Sequence, residues 1–257
     1  MSDKVLCLQN VCHSFEGIEV LQDISIEVDR GEFVVIVGPS GCGKTTLLNL
    51  ISGFHKPASG SMVRLGQTRM VYQSDGLLPW MTVSENIEMG FPSVGTRVSR
   101  ARQLSELLAL VCLESFANHY PHQISPGMRQ RVELARALAG EASVLLLDEP
   151  FSSLDYQTRL LMRGELVSLL AGRATTVVLV THDIEEAAQL ADRIIVLSGR
   201  PARKTFELHL DAARPREPTD QIVVAAMRRL LDHLGLLNAD LIKRSERDKD
   251  AWAAVSV

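Results

Sequence analysis

The chain lacks several features that would have fixed its class at once. No apolar run approaches the roughly 18 residues that cross a bilayer as a helix, so any work at a membrane needs another subunit to supply the span. The 4 cysteines, Cys7, Cys12, Cys42 and Cys112, have no metal-ligand spacing and do not resemble a disulfide framework; a reducing compartment suits them. Positive charge is not in excess: 27 Lys and Arg against 31 Asp and Glu leave a net charge of −4. A nucleic-acid binder shows a basic footprint, so no nucleic-acid partner is expected. Met1–Leu8 has no charged-then-apolar pattern, and no secretory leader is expected. Internal repeats and low-complexity tracts are absent. What is left, 46% hydrophobic and 23% charged residues over 257 positions, is an ordinary globular composition, long for one domain and short for two.

Against that background one stretch stands out. Gly38-Pro39-Ser40-Gly41-Cys42-Gly43-Lys44-Thr45-Thr46 fits the pattern G-x-x-x-x-G-K-[ST]. Before it, Glu32-Phe-Val-Val-Ile-Val37 reads as a buried strand, and after it Thr46–Ser52 reads as the start of a helix closed by Gly53. Such a turn aims backbone N–H groups and a helix N-terminus at an anion. In this pattern Lys44 reaches the β- and γ-phosphates and the Thr45 hydroxyl ligates Mg²⁺. Cys42 occupies a variable position, where an inert small residue is the simpler expectation and oxidation sensing the rarer one.

A second element follows at Val144-Leu-Leu-Leu-Asp148-Glu149, an apolar strand running into two acids. Ligands of open parallel sheets bind at that strand edge. Asp148 is expected as an outer-shell partner of Mg²⁺ and Glu149 as the base that orients and deprotonates an attacking water. Between these elements, 82–92 and 97–118 carry helical periodicity, with Leu104, Leu107, Leu108 and Val111 as a core stripe. A helix capped by Ser125 and ended by Gly140 comes next. Further strands are expected at Thr175–Thr181 and Arg193–Leu197, with helices at 156–171 and Ile184–Ala191. At the N-terminus, Lys4–Cys12 and Ile24–Asp29 read as antiparallel strands, with Phe15 in the turn region between them. Short strands are also expected at Met62–Leu65 and Arg69–Gln73. Strands alternating with helices predict a largely parallel sheet.

Taken together, these motifs resemble those of the nucleotide-binding subunits of ATP-binding cassette (ABC) transporters, over about residues 4–215. The resemblance implies an α/β fold: a P-loop NTPase core with a largely parallel sheet, a small antiparallel β subdomain and an inserted α-helical subdomain. It makes Gly38–Thr46 the Walker A loop, Val144–Asp148 the Walker B strand and Glu149 the catalytic acid. Gln73 matches the Q-loop residue that senses Mg²⁺, Ser153-Leu-Asp155 the D-loop, and His182 the switch histidine that contacts the γ-phosphate. Phe15 falls at the adenine-stacking aromatic, although by sequence alone it serves equally as a hydrophobic plug. Ile124-Ser-Pro-Gly-Met128 departs from the usual signature, in which two glycines follow the serine. Ser125 and Gly127 retain the expected contacts to the γ-phosphate of a partner protomer. Pro126 takes the first helical position, which tolerates proline. The span from Gly60 to Gln73 is short for the family, so the antiparallel subdomain is expected to be trimmed.

The implied activity is ATP hydrolysis with ATP and Mg²⁺ as ligands, in a head-to-tail homodimer with shared sites. The implied partners are integral membrane permease subunits and, indirectly, a solute-binding protein, with the chain peripheral on the cytoplasmic face of the inner membrane. Leu77-Leu-Pro-Trp80, Leu197-Ser-Gly-Arg-Pro-Ala-Arg203 and Ala213-Arg-Pro-Arg216 resemble importers of the nitrate, sulfonate and taurine group. Trp80 is either a contact for a membrane subunit or a packing residue. The competing expectation is a soluble ABC-type ATPase not coupled to transport. Chromosome and repair types would need long heptad arms that this chain lacks. The expected division is an ATPase domain at 1–205, with a helical insertion at about 82–140, and an extension at 206–257. That extension has a linker at Ala212–Pro218, an amphipathic helix near Thr219–Leu234 and a frayed end.

Overall fold

The computed structural model describes residues 3–72, 76–92, 97–140, 142–171 and 174–237. Strands β1 (Lys4–Phe15) and β2 (Ile18–Asp29) form an antiparallel hairpin, joined in a three-stranded sheet by β4 (Ser59–Arg64) in the order β2-β1-β4. The hairpin is longer than the sequence predicts. Its loop is only Glu16-Gly17, both at positive φ (49° and 83°), the mirror-image turn that matches strand twist. Phe15 is therefore not in a turn: it ends β1, paired with Ile18.

The main sheet has the order β5-β6-β7-β3-β8-β9, built from β3 (Phe33–Val37), β5 (Thr68–Val71), β6 (Val144–Asp148), β7 (Thr176–Thr181), β8 (Arg193–Leu197) and β9 (Lys204–His209). All its pairings are parallel except β8 with β9. Every residue of β3, β6 and β7 is buried, which is why these strands read as unbroken Val, Ile and Leu rather than alternating. Their side chains still alternate between two cores. Val34 and Ile36 face the antiparallel sheet and α1 (Lys44–Ser52), while Val35 and Val37 face the other helices.

The helical segment contains α2 (Val83–Glu88), α3 (Arg97–Leu110) and α4 (Pro126–Leu138), with one-turn 3₁₀ pieces at Glu114–Phe116 and Pro121–Gln123. Leu107, Leu108 and Val111 are buried as expected, and Leu104 packs against them. The helix expected to reach residue 118 stops at Leu110, because Cys112 turns to φ 52°. Nor does Gly140 end α4 by left-handed geometry; Ala139 caps it. A Cβ at Gly140 would lie 2.0 Å from the guanidinium of Arg69, the mobile end of a long side chain that would have to move aside to admit it.

The same core is completed by α5 (Tyr156–Leu170), α6 (Ile184–Leu190) and α7 (Gln221–His233). The division expected after residue 205 falls inside β9, an edge strand of the main sheet. The expected linker is docked as well. Arg216 is buried and donates to the carbonyls of Ala191 (2.6 Å) and Ala188 (3.2 Å) at the end of α6, while Arg214 lies over the Phe33 ring. Beyond it, α7 packs on α6 through Val223, Ala226 and Leu230. The frayed end expected over the last dozen residues lies outside the described residues.

Candidate functional site

In the main sheet β7 lies between β6 and β3, and all three strands run in the same direction. Their registers align Asp148 with Val180, and Thr181 with Val37. The next residues on each strand, Glu149, His182 and Gly38, therefore leave the sheet side by side. That is how segments more than a hundred residues apart in sequence reach one cleft. The cleft is about 430 Å³ in volume. Ser40, Gly41, Gly43, Lys44, Thr45 and Thr46 line one wall; Glu149, His182 and Arg200 line the rest.

The phosphate loop is held shut from within. The buried Lys44 ammonium donates to the carbonyls of Gly38 (2.9 Å) and Pro39 (3.1 Å), so its position at the cleft is fixed. Gly43 sits at φ 122° and has no room for a side chain: a Cβ would come within 2.8 Å of Val20. Cys42 points away from the cleft into the core, where burial pushes its thiol up.

Burial also pushes the Asp148 carboxyl up; a hydrogen bond from Thr45 opposes this, Glu149 adds to it and Lys44 again opposes it. A hydroxyl beside a carboxylate, both on hard oxygen, is the kind of donor set that suits Mg²⁺. Glu149 has its backbone at φ 48°, an uncommon conformation for a residue other than glycine and one that persists only when its surroundings fix it. Here they do. Its N–H donates to Val180 O (3.0 Å), and its carbonyl accepts from Gln130 Nε2 (2.9 Å) and Ser152 Oγ (2.9 Å). His182 Nδ1 lies 3.1 Å from Glu149 Oε1.

The residues flanking His182 are held in turn. The Thr181 hydroxyl donates to Glu186 (2.8 Å) and accepts from the Asp183 N–H (2.9 Å). Asp183 caps α6 and pairs with Arg159 (2.9 Å) and the buried Arg163 (2.6 Å).

Other expected site residues lie outside the cleft lining. Ser125 caps α4 by accepting from Met128 N–H, with Pro126 in the first helical position. Gly127 abuts the Ser153-Leu154 segment, where a Cβ would meet Leu154 at 3.0 Å. Asp155 caps α5, accepting from the Thr158 N–H (3.0 Å) and hydroxyl (2.6 Å). Phe15 is 42% exposed and packs edge-on against His13 and His55. Gln73 lies outside the described residues.

Two residues of consequence were missed in the sequence. Gln130, buried on α4, bridges the Glu149 carbonyl and Ser153; one glutamine on an amphipathic helix gives no signal of that. Arg200 reaches the cleft from the β8–β9 loop. Its Ser-Gly-Arg-Pro context was visible, but its proximity to the phosphate loop was not.

A parallel sheet with a phosphate loop and a Glu–His pair at adjacent strand ends defines a P-loop nucleoside triphosphatase. The chain belongs to the ABC transporter family, whose profile matches residues 21–152. It is 44% identical over 241 residues to an aliphatic sulfonates import ATP-binding protein of Rhodococcus jostii, covering 91% of this chain and 94% of that one. It is 42% identical over 209 residues to a nitrate import ATP-binding protein of Synechococcus elongatus, covering 77% of this chain and 32% of that longer protein. The fold is similar to that of a bacterial ABC transporter cassette solved as a dimer, with a TM-score of 0.73 and 32% identity, over 81% of this chain and 100% of that one.

Proposed function

We propose that this chain is the ATP-hydrolysing subunit of an importer that takes up a small solute of the nitrate, sulfonate or taurine kind. The observation that carries this is the meeting of Glu149 and His182, 3.1 Å apart, in the same cleft as Lys44 and Thr45. In this reading Lys44 and the backbone N–H groups of the loop around it, Pro39 excepted, bind and orient the β- and γ-phosphates. Glu149 takes a proton from the attacking water, and His182 faces the γ-phosphate. Thr45 and Asp148 hold Mg²⁺, joined by Gln73; the ion neutralises charge on the phosphate oxygens when bound. Phe15 offers its exposed ring to the adenine.

Ser125, Gly127 and Asp155 belong to the site of the partner protomer. The approach of Gly127 to Ser153 and Leu154, next to Asp155, supports this reading of a head-to-tail homodimer with shared sites. Hydrolysis alternates the closed and open dimer, and the motion passes to two permease subunits fed by a solute-binding protein. No helix among the described residues is long and apolar enough to cross a membrane. In this reading the chain is peripheral, on the cytoplasmic face of the inner membrane, and its permease partners supply the span. Trp80, 69% exposed, is available to a permease helix. The ATPase unit extends through β9 to about residue 210, with 82–140 as its helical insertion and α7 as the extension.

The direct test is calorimetric titration of the full chain with Mg-ATP, followed by ATPase assay after co-purification with permease subunits from neighbouring genes. Binding that disappears in Lys44→Ala and solute-stimulated turnover in the complex are expected. A chain that binds no Mg-ATP would defeat the proposal.

A further inference from the structure

We propose that Arg200 is a second phosphate-binding cation of the cleft, setting the affinity for Mg-ATP; this rests on the nucleotide reading above. Among the cleft-lining residues, Lys44 and Arg200 carry the permanent positive charges, against Glu149. They act from opposite sides of the loop. Lys44 is inside it, committed to the carbonyls of Gly38 and Pro39. Arg200 approaches the loop tip from outside, with Nη2 donating to the Gly41 carbonyl at 3.2 Å. That is its only hydrogen bond among the described residues. A guanidinium has five N–H donors in a planar fork suited to phosphate oxygens.

The position is built rather than incidental. β8 pairs directly with β3, so the loop leaving β8 must emerge beside the phosphate loop leaving β3. The β8–β9 loop is then clamped onto β2. Ala202, fully buried, donates to Val20 O (2.8 Å) and accepts from Gln22 N–H (2.9 Å). Arg203 donates to the Gln22 side chain, and within the loop Ser198 N–H donates to Arg203 O (2.9 Å). Val20 also packs against Gly43 of the phosphate loop. The residues flanking Arg200 are thus tied to the strand that supports the loop, and the order that a phosphate contact needs is already in place.

A purely structural role is the competing explanation: Arg200 could serve only to hold the Gly41 carbonyl. Charge separates the two. Glutamine keeps an N–H donor for that carbonyl but has no charge; lysine keeps the charge. The Kd for Mg-ATP is measured on the full-length wild type, Arg200→Gln and Arg200→Lys at low and high salt, with thermal unfolding to check that each variant folds. Loss of one charge-assisted contact predicts about tenfold weaker binding for Arg200→Gln. Arg200→Lys should recover most of it, and the salt dependence of Kd should be shallower in Arg200→Gln than in the wild type. An unchanged Kd for folded Arg200→Gln, or a loss equal at both salt concentrations, overturns the proposal. Failure of the wild type itself to bind Mg-ATP defeats the nucleotide reading instead.

Discussion

Glu149 and His182 meet at 3.1 Å because β6 and β7 are neighbours in register, not because anything links them along the chain. The carboxylate is mostly shielded, with its side chain 14% exposed, while the imidazole is 57% exposed. The proposed base is thus the sheltered group, and the proposed γ-phosphate contact is the exposed one.

That division of labour predicts two phenotypes. Glu149→Gln should bind Mg-ATP with near-native affinity, lose about a hundredfold or more in turnover, and accumulate as an ATP-bound dimer on size-exclusion chromatography. His182→Ala should also lose turnover, and the double variant should be little worse than Glu149→Gln alone. Near-normal hydrolysis by Glu149→Gln would remove the assignment of the base.

Gln130 holds a strained residue from a different part of the fold. With Gln130→Ala, the contact to the Glu149 carbonyl and the acceptor for Ser153 are both lost. Denaturant unfolding should show a cost of about 1–3 kcal/mol, with turnover falling more than ATP affinity. A variant with unchanged stability and kcat would show that Glu149 keeps its φ without this bridge.

Pro126 stands at the first turn of α4, behind a serine cap that is already made. Pro126→Gly should loosen that turn by up to about 1 kcal/mol and leave turnover at saturating ATP within about threefold. A rise of tenfold or more would mean that proline restrains the signature rather than pre-setting it.

Glu186 supplies a pH dependence. Burial pushes its carboxyl up from 4.5 to about 7, against the opposing effects of Arg163 and the Thr181 hydroxyl. Between those values the folded chain keeps a proton that the unfolded chain has released, so stability falls as pH rises from about 4.5 through about 7. Glu186→Gln removes this slope. Relative to the wild type it should be similar at pH 5 and more stable at pH 8 by chemical denaturation; a constant difference across that range would contradict the shift.

Much of the site was legible because its chemistry is local. Gly38–Thr46 must contain its glycines, lysine and hydroxyl in one turn, and the acids at 148–149 must follow an apolar strand, so both were visible as short patterns. The pattern of buried strands also gave the parallel sheet. Failures came where geometry competed with periodicity. The helical pattern ran on past Cys112, but one left-handed residue ended α3. Ala212–Pro218 had the composition of a linker, yet Arg216 found carbonyl acceptors at the end of α6. The β1–β2 hairpin extended to Phe15 because a two-residue turn could close it.

By itself the sequence determined the glycine-rich loop between a strand and a helix, the acidic strand end and the helix capped by Ser125, since each depends on residues within one turn or strand of one another. Only the tertiary structure decided that β7 lies between β6 and β3, and so that His182 meets Glu149. It also decided that β8 adjoins β3, which brings Arg200 to Gly41. Strand order is set by how whole faces bury one another, and no short stretch of sequence encodes it.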